Sequence, residues 1–245
     1  MKEFFVLLLT LIRLSNACGQ SPINEKSIQK PEFGVFISGN HLSMTVNQYV
    51  NDQYLIYNNS KEQYQGMEVG TFTRYQLTTR FRIKSTLSYL KNTYFIQFKN
   101  LKAEEEIAQG ASRAWIFSGP IYSFQRISLS LSGEYLVREP FYVQAGVLVS
   151  RQITDKAYSN KDESFFQNQY NQADRILYSY AESFKQFNTS GQVGIGVDLR
   201  RFVLEANYER SISYLNGPLN VNKVSFNEPQ HFSIWKVSAG FRLNK

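Results

Sequence analysis

The sequence predicts an all-β chain: an up-and-down antiparallel transmembrane β-barrel of about eight strands with long extracellular loops. Three observations predict it. Apolar and polar residues alternate with a period of two through eight separate segments, the mark of strands with two unlike faces. The connectors between those segments alternate strictly between long and short. The composition, 42% hydrophobic and 15% aromatic but only 19% charged over 245 residues, is too polar for a bundle of membrane helices and too aromatic for a disordered chain.

The elements follow in order. Met1-Lys2-Glu3 precede an apolar run from Phe4 to Ile12, and Ser15-Asn16-Ala17-Cys18-Gly19 come after it. A basic start, a short apolar core and small residues describe a secretory signal peptide over 1–19, cleaved after Gly19. Lipid attachment at Cys18 is the rival processing. The run is too short to span a bilayer, and Arg13 closes it. Residues 20–31 read as a polar lead-in and 32–245 as the barrel.

Strands are predicted at 33–44, 67–78, 80–90, 127–137, 141–152, 193–199, 202–209 and 231–243. In the strand at 127–137, Ile127, Leu129, Leu131, Tyr135 and Val137 alternate with Ser128, Ser130, Ser132 and Glu134. At 231–243, Trp235, Val237, Ala239, Phe241 and Leu243 alternate with Lys236, Ser238, Gly240 and Arg242. Connectors 45–66, 92–123, 154–189 and 214–229 are long, whereas 78–80, 138–140 and 200–201 are short. All long connectors therefore fall at one end and both termini at the other, as in barrels with short periplasmic turns and long extracellular loops.

Alternation alone does not say which face meets lipid. A secreted soluble calycin-like barrel would turn its apolar face inward around a hydrophobic ligand. Two features favour lipid outside. The apolar faces of the predicted strands carry no acidic or basic residue, and aromatics lie near strand ends (Phe81, Tyr89, Tyr135, Phe141, Phe202, Tyr208, Trp235), as an interfacial girdle would. The opposite faces carry both signs of charge: Arg74, Arg82, Lys84, Lys236 and Arg242 against Glu134, Asp198, Glu205 and Glu209. These nine residues form the predicted charge network of the barrel interior, with Glu205 and Glu209 expected to partner Arg82, Lys84 or Lys236. Such a core is solvated and polar, not an open pore.

The sequence resembles the PorT-like and OmpA/OmpX-type outer-membrane barrels of Bacteroidota-type bacteria. The resemblance lies in Gly66-Met67-Glu68-Val69-Gly70-Thr71-Phe72-Thr73-Arg74-Tyr75 with Phe81-Arg82-Ile83-Lys84, in Ile127 to Gly146, and in the closing Ser238-Ala239-Gly240-Phe241-Arg242-Leu243. It implies residence in the bacterial outer membrane, assembly by the barrel-insertion machinery, contact with outer-membrane lipid and, in some members, a role in protein secretion. It carries over no catalytic residue. The ending departs from the pattern, since Leu243-Asn244-Lys245 follows Phe241 where many barrels end on the aromatic.

Within 154–189 the period changes. Phe166, Tyr170, Ala173, Leu177, Tyr180, Phe184 and Phe187 recur at helical steps, forming one stripe of an amphipathic helix that would cover the barrel mouth or meet a partner. Phe166, Tyr170, Leu177, Tyr180, Phe184 and Phe187 are the candidate binding residues. The acidic stretch from Glu104 to Glu106 reads as a solvated turn ended by Gly110. Beyond it, Ile116-Phe117 and Ile121-Tyr122 are expected to extend a strand past the membrane.

Other function classes find no support. The net charge of +7 is not gathered into stripes, so nucleic-acid binding is not expected. One cysteine and two histidines leave no set of metal ligands, and no cofactor is implied. His41 with Ser43 and His231 with Ser233 lie where closure could bring them close, but no nucleophile signature accompanies them. The expectation is a non-enzymatic barrel whose extracellular loops bind or scaffold an envelope or secretion-machinery protein.

Overall fold

The structure is a computed structural model that describes residues 31–44, 47–49, 54–57, 64–100, 116–154, 183–221, 224–226 and 230–244. Eight long strands make the wall: β1 (Glu32–Met44), β2 (Tyr64–Gln76), β3 (Phe81–Asn100), β4 (Ile116–Arg138), β5 (Phe141–Thr154), β6 (Phe187–Leu199), β7 (Phe202–Ser211) and β8 (Phe232–Arg242). Each pairs antiparallel with the next, and β1 pairs with β8 from Gly34↔Arg242 to Met44↔Phe232. The sheet is thus closed, leaving the membrane-height wall without an edge.

The short turns stand where expected. Residues 77–80, Glu139-Pro140 and Arg200-Arg201 reverse the chain at one end. Arg200 has φ of 46°, the left-handed geometry that two-residue hairpins use to match strand twist. At the same end Phe33 N–H donates to Asn244 Oδ1 at 2.6 Å and Asn244 Nδ2 donates to the Pro31 carbonyl at 2.8 Å, tying the two ends of the barrel chain together.

Two predicted connectors are shorter than the sequence suggests. β3 runs to Asn100 and β4 starts at Ile116, so most of 92–123 is strand and only 101–115 connects them. The expected extension at Ile116-Phe117 and Ile121-Tyr122 is therefore present. Inside the predicted connector 45–66, Asn47–Tyr49 pairs with Tyr54–Tyr57, which in turn pairs with Gln97 to Asn100 of β3. Leu219–Val221 pairs with Val224–Phe226 in a separate ladder.

Side-chain direction decides between the two barrel readings. Val147, Ile195 and Val237 point outward and are 49%, 63% and 71% exposed, whereas Ser130, Gln144 and Glu209 point inward and are buried. The predicted girdle residues Phe81, Tyr89, Tyr135, Phe141, Phe202 and Trp235 are all exposed on the outside. The calycin-like alternative requires the reverse and is not what the fold adopts. One expectation needs correction: the outward faces are not wholly uncharged. Arg151 occupies an outward position of β5, and Lys91 and Arg210 do so just past the predicted strand limits. All three lie near the long-connector end, above the apolar band.

Inward glycines let side chains cross the lumen and neighbouring strands approach. A Cβ at Gly146 would lie 2.4 Å from the Leu131 carbonyl oxygen and 2.7 Å from Ser132 Cα, both backbone atoms that cannot swing away. Gly146→Ala is expected to lower stability by ~1–3 kcal/mol through forced strand separation, read from urea unfolding of the refolded barrel. An unchanged midpoint would contradict this packing.

Candidate functional site: the charged lumen and its sealed mouth

The lumen is organised in layers set by the inward positions of the eight strands. Nearest the short turns is an eight-membered ion network. Arg74 Nε donates to Glu134 Oε1 at 2.9 Å, and its Nη2 donates to Glu205 Oε1 at 3.0 Å and to the Tyr142 hydroxyl at 2.6 Å. That hydroxyl donates onward to Glu205 Oε1 at 2.6 Å, and Lys84 also pairs with Glu205. Arg82 bridges Glu134 at 3.0 Å and Asp198 at 2.7 Å. Arg242 joins Asp198 and reaches Glu32 at 3.2 Å. The guanidinium groups of Arg74 and Arg82 both lie 5.1 Å from the centre of the Tyr142 ring, adding cation–π contact to the charge pairing.

A second network lies nearer the long connectors. Arg126 makes a two-point contact with Glu209, 2.6 and 2.5 Å, the fork-to-fork geometry that suits arginine and carboxylate. Lys236 bridges Glu209 at 2.9 Å and Glu68 at 2.8 Å, and Ser88 Oγ donates to Glu68 at 2.6 Å. Neutral polar groups separate the two networks, among them Gln144 donating to Asn207 at 2.6 Å. The void between them has about 30 Å³, the room of one water molecule.

All nine residues predicted for the interior network are in it. The structure adds Arg126, Glu68, Glu32 and Tyr142. Their signal was parity: Arg126 precedes Ser128, Ser130 and Ser132 by the strand period, and Glu68 shares a face with Arg74. Together the networks hold six cations (Arg74, Arg82, Lys84, Arg126, Lys236, Arg242) and six anions (Glu32, Glu68, Glu134, Asp198, Glu205, Glu209). The lumen is therefore formally neutral. Glu205 and Glu209 take partners from the expected set, Lys84 and Lys236 respectively, while Arg82, the third candidate, binds Glu134 and Asp198.

Above the upper network the lumen turns apolar. Leu42, Leu90, Phe124, Phe232 and Ile234 are almost fully buried, and the Phe124 and Phe232 rings meet edge to face with centroids 5.6 Å apart. Arg126 lies under both rings, 5.8 and 5.2 Å from their centres. Phe184 and Leu215 continue this cap. The Lys185 N–H donates to the Leu215 carbonyl at 2.8 Å, and Gly217 N–H donates to Ser183 at 2.6 Å.

This arrangement corrects the end of the predicted aromatic helix. Phe184 sits in a β-bridge with Asn216 and is buried, whereas Phe187 opens β6 and is 62% exposed on the outer wall. The two do not share a stripe: Phe184 turns inward from a bridge that precedes β6, and Phe187 turns outward from the first position of β6. Phe166, Tyr170, Leu177 and Tyr180 lie outside the described residues, as do the signal peptide, Cys18 and the acidic stretch at Glu104 to Glu106.

The two histidines are not brought together. His41 aligns with Trp235, whereas His231 lies beyond Phe232, which aligns with Met44. His231 Nδ1 is instead 3.2 Å from Ser211 Oγ, which already accepts from the Phe232 N–H at 3.0 Å. Among the described residues no group of His, Cys, Asp and Glu could hold a metal ion.

No protein-family model matches the chain, and no curated protein matches it in sequence. Among solved structures it is similar to Ail, the attachment invasion locus protein of Yersinia pestis, in complex with the heparin analogue sucrose octasulfate. That match has 12% identity, 88% of this chain and 100% of that one covered, and a TM-score of 0.43. It is also similar to the outer membrane protein OprG of Pseudomonas aeruginosa (9% identity, 89% and 98% covered, TM-score 0.42). A third is outer membrane protein W of E. coli (14% identity, 89% and 100% covered, TM-score 0.34). The fold assignment rests on the closed ladder itself. Eight antiparallel strands, an outward apolar band and a neutral ion-paired lumen make this chain a transmembrane β-barrel of the outer-membrane type.

Proposed function

We propose that the protein resides in the bacterial outer membrane as a non-enzymatic anchor, without cofactor, whose extracellular segments bind or scaffold an envelope or secretion-machinery protein. One observation carries the reading: the lumen is filled. Its charges are paired across the barrel, the void between the two networks has only about 30 Å³, and an apolar cap closes the mouth. A barrel of this build does not offer a permeation path, and small barrels fill their interior with side chains in this way. Function then falls to the long connectors, which the wall holds at one end. The sequence likeness to PorT-like barrels supports a secretion-associated partner within that reading.

Two measurements test it. The refolded protein in a planar bilayer is expected to give no steady conductance above the bare membrane; reproducible open-channel steps would overturn the anchor reading. Affinity capture from membranes through a tag inserted in 155–182 is expected to retain a discrete envelope protein. Recovery of lipid and insertion machinery alone would count against a scaffold.

A further inference from the structure

The lumen is neutral, so the basic excess of the described barrel lies outside its wall. Apart from Lys99 and Lys185, farther toward the long connectors, it is arranged at two heights. At the short-turn end, Arg80, Arg138, Arg200 and Arg201 are exposed beside Glu139, which is the one acid outside the lumen among the described residues. At the other end, Lys91, Arg151 and Arg210 are exposed on outward positions, and no described acid accompanies them.

Their height is significant. Lys91 and Arg151 lie ten residues beyond the starts of β3 and β5, and Arg210 lies eight beyond the start of β7. A strand tilted by about 40° climbs ~2.5 Å per residue along the membrane normal, which puts all three roughly 20–25 Å above the short turns. That is the thickness of the apolar band, so these cations stand at headgroup level on the long-connector side. Arg151 aligns with Phe187 of β6 and Arg210 with Gly191 of the same strand. Four register positions and two strand spacings set their Cα atoms roughly 15 Å apart. Between and below them the wall is apolar: Phe187, Val149 and Val193 are exposed there.

We propose that Arg151 and Arg210 bind, from two sides, the headgroup of an outer-leaflet lipid that carries two phosphates, with Lys91 extending the basic belt. This rests on the membrane placement proposed above. Two guanidinium forks based at that separation can each take one phosphate, since each fork holds one tetrahedral anion by paired hydrogen bonds. The exposed apolar wall directly beneath suits acyl chains, which a soluble anion lacks.

The test uses the full chain reconstituted in nanodiscs of phosphatidylcholine. The discs are doped with equal amounts of a bisphosphorylated glycolipid, its monophosphorylated form and phosphatidylglycerol. Lipid retained on extraction is quantified by mass spectrometry. Enrichment of the bisphosphorylated lipid over the other two by roughly five-fold, the worth of one further basic contact, is expected. It should collapse to parity in Arg151→Gln/Arg210→Gln and persist in Arg200→Gln/Arg201→Gln at the opposite rim. Raised salt should release the lipid from wild type, a readout that needs no variant. Equal retention of the three lipids by wild type, unchanged enrichment in Arg151→Gln/Arg210→Gln, or salt-insensitive retention would each overturn the proposal. A heat-modifiable gel shift separates the two claims: its absence from wild type would defeat the membrane barrel itself, whereas its presence with unselective lipid defeats only the headgroup site.

Discussion

Glu209→Leu is expected to destabilise the barrel by about 3–5 kcal/mol, the usual consequence of leaving buried charge without its counter-ion. Glu209 is wholly enclosed and takes both forks of Arg126 as well as Lys236. After the substitution Lys236 keeps Glu68, but Arg126 keeps no carboxylate and lies beneath the Phe124 and Phe232 rings, where water cannot readily replace it. The companion variant Glu209→Leu/Arg126→Met removes both charges of the pair and is expected to recover a large part of the loss, because the cost lies in the orphaned cation. Urea unfolding of the refolded protein, followed by tryptophan fluorescence, measures both. Equal stability of Glu209→Leu and wild type would mean that the lumen is well hydrated, contrary to its packed arrangement.

Val147→Arg is expected to cost ~2–4 kcal/mol, since an arginine there meets the hydrocarbon near the middle of the bilayer. Val147 is 49% exposed on the outer wall, six residues above the start of β5. The same substitution at Ile153, two positions above Arg151 on the same face, is expected to cost only ~0–1 kcal/mol, because the guanidinium reaches headgroups and water. The contrast in depth is the informative quantity. Equal costs at the two positions would mean that the apolar face of β5 does not meet lipid.

The wall of this barrel was legible because a bilayer imposes its pattern on the chain. A strand with hydrocarbon outside and a polar lumen inside must alternate, so Ile127 to Val137 announces both its structure and its orientation. Beyond the bilayer that demand disappears. Tyr94-Phe95-Ile96 and Ile116-Phe117 follow no strict alternation, so the sequence predicts mainly connector where β3 and β4 extend. The inward charges were legible by parity, but their pairing was not. Which residues face each other across a closed barrel depends on strand stagger, which no local pattern encodes. Arg82, one of three candidate partners for Glu205 and Glu209, therefore meets Asp198, 116 residues away. Phe184 and Phe187 illustrate a different limit: a spacing of three suits a helix stripe, yet in extended chain it turns two residues to opposite sides.

The neutral lumen has a consequence for how the protein reaches its membrane. Arg74 on β2 and Glu205 on β7 are 131 residues apart in sequence, and Arg242 on β8 reaches Glu32 on β1. A partly assembled sheet of β1 to β4 would hold Arg74, Arg82, Lys84 and Arg126 with too few acids to match, and Glu205 and Glu209 would arrive only with β7. Such contacts, separated so widely along the chain, form late and together. The charges thus act as a check on completion: a half-built wall keeps its cations in water, and only a barrel whose last strand has met its first can carry them into hydrocarbon. Once closed, opening must expose all of them at once, so slow unfolding, more than large equilibrium stability, is the property this lumen confers.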